Sequence, residues 1–155
     1  MAASVVLLAG LVGCTNTSPG RAAPASNAFP DPSHYPKADA TAFVRPDDGR
    51  FAGISFVTSQ GQRCSSNSRD YLKRIWCYGP RFDADGYWNT TVGPEQVATV
   101  EPEKPPEAAA VSPLLPDGHR INFTSGSVCL AAHNLFACQT DAHGFVFTPA
   151  GARLF

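Results

Sequence analysis

Cys129 and Cys138 lie four residues outside the dipeptide His133-Asn134, which is the spacing of two residues that face each other across a β-hairpin. With His133-Asn134 as a two-residue turn, counting outward along both strands pairs Cys129 with Cys138. That position is a non-hydrogen-bonded pair, where Cα atoms approach to about 4.5 Å, within the range of a disulfide. Asn tolerates the positive φ that such turns require. The sequence therefore predicts a hairpin that is closed by a disulfide.

Two further cysteines, Cys64 and Cys77, complete an even set of four downstream of Cys14. In an exported chain such a set indicates two disulfides, for which three connectivities are open. The hairpin selects one bridge, and Cys64–Cys77 follows by elimination. Each bridge closes a short loop worth about 2–3 kcal/mol in the chain-entropy model. Because there is no Cys-x-x-Cys and no other recognisable ligand spacing, we predict neither a metal nor a cofactor.

The N-terminus carries Leu11-Val12-Gly13-Cys14 at the end of a short apolar run, which looks like a bacterial lipobox. The run is too short to span a bilayer and suits the core of a signal peptide, although residues 1–4 lack the usual basic residues. We therefore predict a signal peptide over residues 1–13 and a diacylglyceryl group on Cys14. This anchor would hold the protein on the extracytoplasmic face of the bacterial cell membrane.

Residues 14–42 are rich in Ser, Thr, Asn, Pro and Ala and contain almost no large aliphatic side chain. Such a segment buries too little apolar surface to offset the entropy lost on ordering. The prediction is a flexible, disordered tether with a reach of roughly 25–30 Å, long enough to hold a small domain clear of lipid head groups.

Composition favours a turn-rich β domain for the rest of the chain. Charged residues make up only 16%, while Gly and Pro number 13 and 14. The net charge of -1 provides no overall basic field, so we predict no nucleic-acid partner.

Short β-branched and aromatic runs alternate with turn signals from residue 43 onward, and no long amphipathic helix interrupts them. The predicted strands include Ile54–Thr58, Ile75–Tyr78, Arg120–Thr124, Val128–Ala132, Leu135–Thr140 and Phe145–Thr148. Residues 92–113 are rich in Pro and Glu and are predicted to form an irregular excursion. The expected fold is an all-β domain over residues 43–155, a small disulfide-stapled sandwich or partly closed barrel.

Several of these features recur together in one family of secreted proteins. A strand and Gly turn lead to Cys64, a second cysteine lies in Trp76-Cys77-Tyr78, and a Leu-Pro-Asp-Gly turn at 115–118 precedes the paired cysteines. A His-Gly-Phe strand at 143–145 then closes on Leu-Phe at 154–155. On these motifs the chain resembles a family of mycobacterial and related actinobacterial secreted proteins and lipoproteins of uncharacterised function. The resemblance covers about residues 50–155 outside the Pro/Glu-rich middle, implies an envelope location and supports the disulfide assignment. It brings no catalytic residues.

Three side chains are candidates for a binding site. Tyr87-Trp88 follows a turn at residues 83–86, and two aromatic rings there would form a ledge for a sugar or a protein. His143 lies two residues after Asp141, a pair that would suit proton transfer. The alternative is that His143 hydrogen-bonds a turn while Gly144 supplies an unusual backbone angle. No nucleophile motif accompanies the pair, so we assign no catalytic residue.

These observations favour a non-enzymatic, monomeric envelope lipoprotein that binds a protein, glycan or lipid partner. One specific form of this hypothesis is an inhibitor-like module directed against a hydrolase. The competing hypothesis is a wall-modifying hydrolase that uses His143 and Asp141.

Overall fold

The computed structural model describes residues 29–45, 53–66, 73–107 and 111–155. These residues form an all-β sandwich, with short 3-10 turns at Pro32–His34 and Ala40–Phe43. The predicted signal peptide, Cys14 and the linker as far as residue 28 lie outside the described residues.

The larger sheet contains the first seven strands of the chain: β1 (Val44–Arg45), β2 (Gly53–Thr58), β3 (Arg63–Ser66), β4 (Ile75–Gly79), β5 (Tyr87–Gly93), β6 (Gln96–Glu103) and β7 (Leu114–Leu115). Its strands follow each other from β1 to β6 as antiparallel neighbours, and β7 lies parallel to β2. The predicted strands at 54–58 and 75–78 are therefore correct to within one residue.

The smaller sheet is an antiparallel meander of the remaining strands: β8 (His119–Asn122), β9 (Val128–Ala132), β10 (Leu135–Thr140), β11 (His143–Thr148) and β12 (Gly151–Leu154). Strand β11 packs across β5 and β6 of the larger sheet. Among the described residues no strand of one sheet pairs with the other, so of the two predicted architectures the sandwich is the correct one.

The core lies between the two sheets and is dominated by phenylalanine. Phe136, Phe145 and Phe147 come from neighbouring strands of the smaller sheet, and their ring centroids lie 4.7 to 6.4 Å apart. Phe56 of the larger sheet is fully buried in the same core, with its ring centroid 6.5 Å from that of Phe123. Each such burial is worth about 1.5–3 kcal/mol. The inward-facing positions of both sheets thus form one continuous apolar layer.

Both predicted disulfides are present, and each joins two residues directly opposite each other on adjacent strands. Cys64 faces Cys77 across β3 and β4, and Cys129 faces Cys138 across β9 and β10, with Cα–Cα separations of 4.1 Å. The predicted register of the second hairpin is confirmed throughout its length. Its turn differs, because neither His133 nor Asn134 has a positive φ.

The two disulfides also touch each other across the sandwich. The sulfur atoms of Cys64, Cys77 and Cys138 lie within 4.8 Å of one another, and all four cysteines are at most 2% exposed. Since these sulfurs are already joined in disulfides, the cluster offers no thiolate to a metal. The bridges instead form one of the contacts between the two sheets.

The predicted linker is wrong over its described part, residues 29–42. Phe29 and Tyr35 pack on an apolar patch on the outer face of the smaller sheet, formed by Leu130, Ala137 and Val146. The backbone also pairs with β8, because Ala38 N donates to Arg120 O at 2.8 Å. Local composition concealed this order because the two aromatic rings pack on strands about a hundred residues away. The folded domain therefore includes residue 29.

The predicted excursion at 92–113 is wrong over its first half. Residues 87–103 form a long hairpin, in which β5 and β6 pair with an irregularity between Thr91 and Gly93. Pro and Glu are tolerated here because β6 is an edge strand, where a missing N–H breaks no ladder bond and charges block further pairing. Within the predicted excursion, the described residues 104–107 and 111–113 form no helix or strand.

We expect replacement of either cysteine pair by two alanines to lower the free energy of unfolding by about 2–3 kcal/mol, since each bridge closes a short loop of the unfolded chain. Chemical denaturation of the full chain measures the loss. Intact mass before and after reduction provides the control and should rise by about four hydrogens. Free thiols in the untreated chain, or unchanged stability in both variants, would contradict this account.

Candidate functional site

Strand alternation separates the two faces of the larger sheet. Cys64 and Cys77 point into the core, so the residues beside them in β3 and β4 point the opposite way. Arg63 faces Tyr78 on this outer face, and Ser65 faces Ser55 of β2. The outer face thus carries a basic, a phenolic and two hydroxyl groups close together.

The connection between β6 and β7 passes over this face. The chain leaves β6 at Glu103 on one edge and joins β2 at Leu114 on the other side of the sheet. Just before β7, Pro113 O accepts a hydrogen bond of 2.9 Å from Val57 N, which ties the end of the connection to β2. The described parts of the connection and the sheet beneath them form a walled space.

That space is a cleft of about 680 Å³, which we call the outer-face cleft. Its floor consists of residues of β2, β3 and β4, and its walls come from residues 43–45 and from the β6–β7 connection. The lining residues are Phe43, Val44, Arg45, Ser55, Arg63, Cys64, Ser65, Tyr78, Glu103, Lys104, Pro106, Val111, Ser112 and Pro113. Its volume lies within the roughly 300–1,000 Å³ typical of small-molecule sites.

The cleft has an excess of positive charge. Among its described lining residues are Arg45, Arg63 and Lys104 and one acid, Glu103. Within the described part of the chain, Arg45 and Lys104 make no side-chain ion pair or hydrogen bond. Their charges are therefore available to a bound anion.

Exposed apolar side chains also line the cleft. Val44 is 58% exposed, Tyr78 39% and Val111 fully exposed, and all three line the cleft. Leu114, which is 56% exposed, follows directly after the lining residue Pro113. Contiguous exposed apolar side chains beside charged groups are typical of a binding groove.

The structure does not bring Tyr87 and Trp88 together as a ledge. Successive residues of β5 point to opposite faces, and Thr90 and Val92 are buried in the core, so Trp88 lies on the inner side and Tyr87 on the outer side. Tyr87 faces Glu103 at the edge of the sheet and does not line the cleft.

Trp88 instead belongs to an arginine-centred contact that closes one end of the sandwich. The Arg81 guanidinium lies 4.6 Å from the Trp88 ring centroid and 5.4 Å from that of Phe147. It also donates two hydrogen bonds to the Asp83 carboxylate, at 3.0 and 2.5 Å, and this holds the pKa of Asp83 below its ordinary value. This arrangement stabilises the fold and leaves the indole face covered.

His143 and Asp141 are not arranged for proton transfer. Nδ1 of His143 is buried without a hydrogen-bond partner among the described residues, whereas the Asp141 carboxylate receives hydrogen bonds of 3.4 Å from Lys73. Asp141 has a φ of +50° at the first turn position between β10 and β11, so its backbone shapes the turn. The Asp-His hypothesis therefore has no geometric support.

Gly144 acts through its size and not through its backbone angle. Its φ lies outside the left-handed region, which corrects the expectation of an unusual angle. A Cβ at this position would lie 2.6 Å from Phe155 Cζ and 2.7 Å from Cys138 O. Glycine is needed because the C-terminal Phe155 crosses directly above it, paired to it by two backbone hydrogen bonds of 2.8 and 3.0 Å.

The cleft residues were missed in the sequence because they come from a 3-10 turn, five strands and the connection between β6 and β7. The only local signal is the period-two pattern Arg63-Cys64-Ser65 and Trp76-Cys77-Tyr78, in which each cysteine has polar or aromatic neighbours. A cysteine fixed inside by a disulfide implies that its neighbours face out. The cleft walls, which include Arg45 and Lys104, show no comparable local pattern in the sequence.

Comparisons with known proteins assign this chain to no family. No protein-family model matches this chain, and neither a curated protein nor a solved structure does so. Among the described residues, no helix has the length and apolar character needed to cross a membrane.

Proposed function

We propose that this chain is a lipoprotein of the bacterial cell envelope, anchored through Cys14, whose sandwich binds a small ligand in the outer-face cleft. The observation that carries the proposal is the cleft itself: a concave space of about 680 Å³ that combines exposed apolar side chains with excess positive charge. A concavity of this size suits a small molecule or a single extended segment, because standard protein interfaces are broad and nearly flat.

Several features support the extracytoplasmic anchor. The lipobox-like Leu11-Val12-Gly13-Cys14 precedes a domain with two disulfides, which persist in oxidising compartments. The resemblance to actinobacterial secreted proteins and lipoproteins points to the same compartment. Cys14 and Phe29 are separated by 14 residues, which reach at most about 50 Å when fully extended. An acylated Cys14 therefore holds Phe29, and with it the domain, within about 50 Å of the membrane surface.

Replacing Cys14 by Ser removes the acylation site, and we expect the protein to leave the membrane fraction. Acyl chains contribute about 0.8 kcal/mol per buried methylene, so loss of two or three chains removes most of the membrane affinity. Fractionation of cells that express the full chain, followed by immunoblotting, measures the distribution. Substitution of Ser18 by Ala is the matched control and should leave the protein in the membrane. Retention of the Cys14→Ser protein at the wild-type level would overturn the anchor.

Filling the cleft should displace a ligand that the protein carries from its own envelope. We expect native mass spectrometry of protein released gently from membranes to show a bound species smaller than a protein partner. Ser65→Trp, which places an indole on the cleft floor, should abolish this species.

The matched control is Thr99→Trp, in the same cross-strand row of the same face but outside the cleft lining. The proposal predicts that this variant keeps the bound species. Equal occupancy in both variants, or no bound species in wild-type protein under any mild release condition, would contradict a ligand site in the cleft.

A further inference from the structure

We infer that the outer-face cleft selects a single-chain amphiphile with an anionic head group, such as a long-chain carboxylate or alkyl phosphate. The inference rests on the proposed function, since it names the ligand class of the same site. It follows from the combination of charge, apolar surface and shape in one concave space.

The head group is assigned by charge. Among the described lining residues, three cations, Arg45, Arg63 and Lys104, accompany one acid, Glu103, so positive side chains are in excess there. This excess is local, because the whole chain has a net charge of -1. A guanidinium matches the two oxygens of a carboxylate or phosphate with parallel hydrogen bonds. The cleft thus favours an anion over a neutral or cationic group.

Hydroxyl groups complete the polar part of the site. Ser55 and Ser65 face each other across β2 and β3, and Ser112 lies in the opposing wall. Each can donate a hydrogen bond to an anionic oxygen without adding charge. The polar groups therefore come from both the floor and the wall.

The apolar lining indicates that the ligand carries an alkyl chain. The lining includes the exposed residues Val44, Tyr78 and Val111, and Pro106 and Pro113 add two rings that carry no backbone N–H. Burial of this surface is worth about 25 cal/mol per Å² removed from water, which a free inorganic anion cannot gain. A purely polar ligand would leave Val44 and Val111 as exposed as they are now.

A glycan fits this lining less well. Sugar-binding sites stack rings on flat aromatic faces, and Tyr78 is the only aromatic on the cleft floor. The exposed cleft walls at Val44 and Val111 are aliphatic, which suits an alkyl chain.

Direct binding to the full chain carrying Cys14→Ser tests this inference, because the protein's own acyl chains are then absent and cannot compete. The probe is 11-(dansylamino)undecanoic acid, used below its micelle-forming concentration and followed by dansyl fluorescence. We expect saturable binding that dodecyl phosphate displaces, that dodecanol and dodecyltrimethylammonium displace at least about tenfold less well, and that added salt weakens.

Charge variants should shift the affinity in opposite directions. Arg45→Gln together with Lys104→Gln should weaken binding of the probe by about tenfold, and Glu103→Gln should strengthen it by about threefold. Lys37→Gln removes one positive charge from an exposed site that pairs with Arg120 of the smaller sheet, and it should leave binding unchanged. All these positions carry exposed, charged side chains outside the core, and circular dichroism of each variant confirms the fold.

Each outcome separates this inference from the proposed function. Equal binding of dodecanol and the carboxylate, blocked by Ser65→Trp, would overturn the anionic head group while leaving the cleft as a ligand site. Probe binding that Ser65→Trp leaves unchanged, or no probe binding at all, would overturn the amphiphile inference. The ligand site itself is then judged by the native mass spectra of membrane-derived protein.

Discussion

The contact between the two disulfides is the interaction on which the rest of this structure depends. Cys64–Cys77 comes from the larger sheet and Cys129–Cys138 from the smaller one, and their sulfurs meet in the middle of the sandwich. A domain of this size has little interior, so covalent staples supply stability that a larger apolar core would otherwise provide. Here the two disulfides also contact each other between the sheets.

The Cys64–Cys77 bridge has a second consequence, which links stability to the cleft. Because side chains alternate along a strand, a cysteine held in the core requires Arg63, Ser65 and Tyr78 to face outward. A slip of one residue in either strand would move these side chains into the core and the cysteines into solvent. The disulfide therefore sets the register of β3 and β4 and, with it, the chemistry of the cleft floor.

The parts of this fold that local sequence determines were predictable. The register of the hairpin containing Cys129 and Cys138 follows from equal spacing about His133-Asn134, even though the turn does not use the expected positive φ. The β5–β6 hairpin was hidden by Pro102 and its neighbouring glutamates, which an edge strand tolerates and a central strand would not.

The parts that depend on distant contacts were not predictable in this way. Phe29 and Tyr35 gain their order from a patch on strands about a hundred residues later in the chain. The cleft likewise combines side chains from β1 to β4 with a connection that enters from the far edge of the sheet. Conversely, the sequence suggested that Trp88 was free to bind a ligand. In the structure the Arg81 guanidinium lies over its ring, and Arg81 is held there by contacts with Asp83 and with Phe147 of the other sheet.

Mapping of a bound anion by nuclear magnetic resonance tests the central claim, that the outer face positioned by Cys64–Cys77 is the ligand site. Dodecanoate would be titrated into ¹⁵N-labelled full chain carrying Cys14→Ser while amide shifts are recorded. The account predicts shifts concentrated at Arg45, Ser55, Arg63, Ser65, Tyr78 and Lys104, with β8 to β12 unaffected. Shifts centred on His143, Trp88 or the smaller sheet, with the outer-face cleft silent, would contradict it.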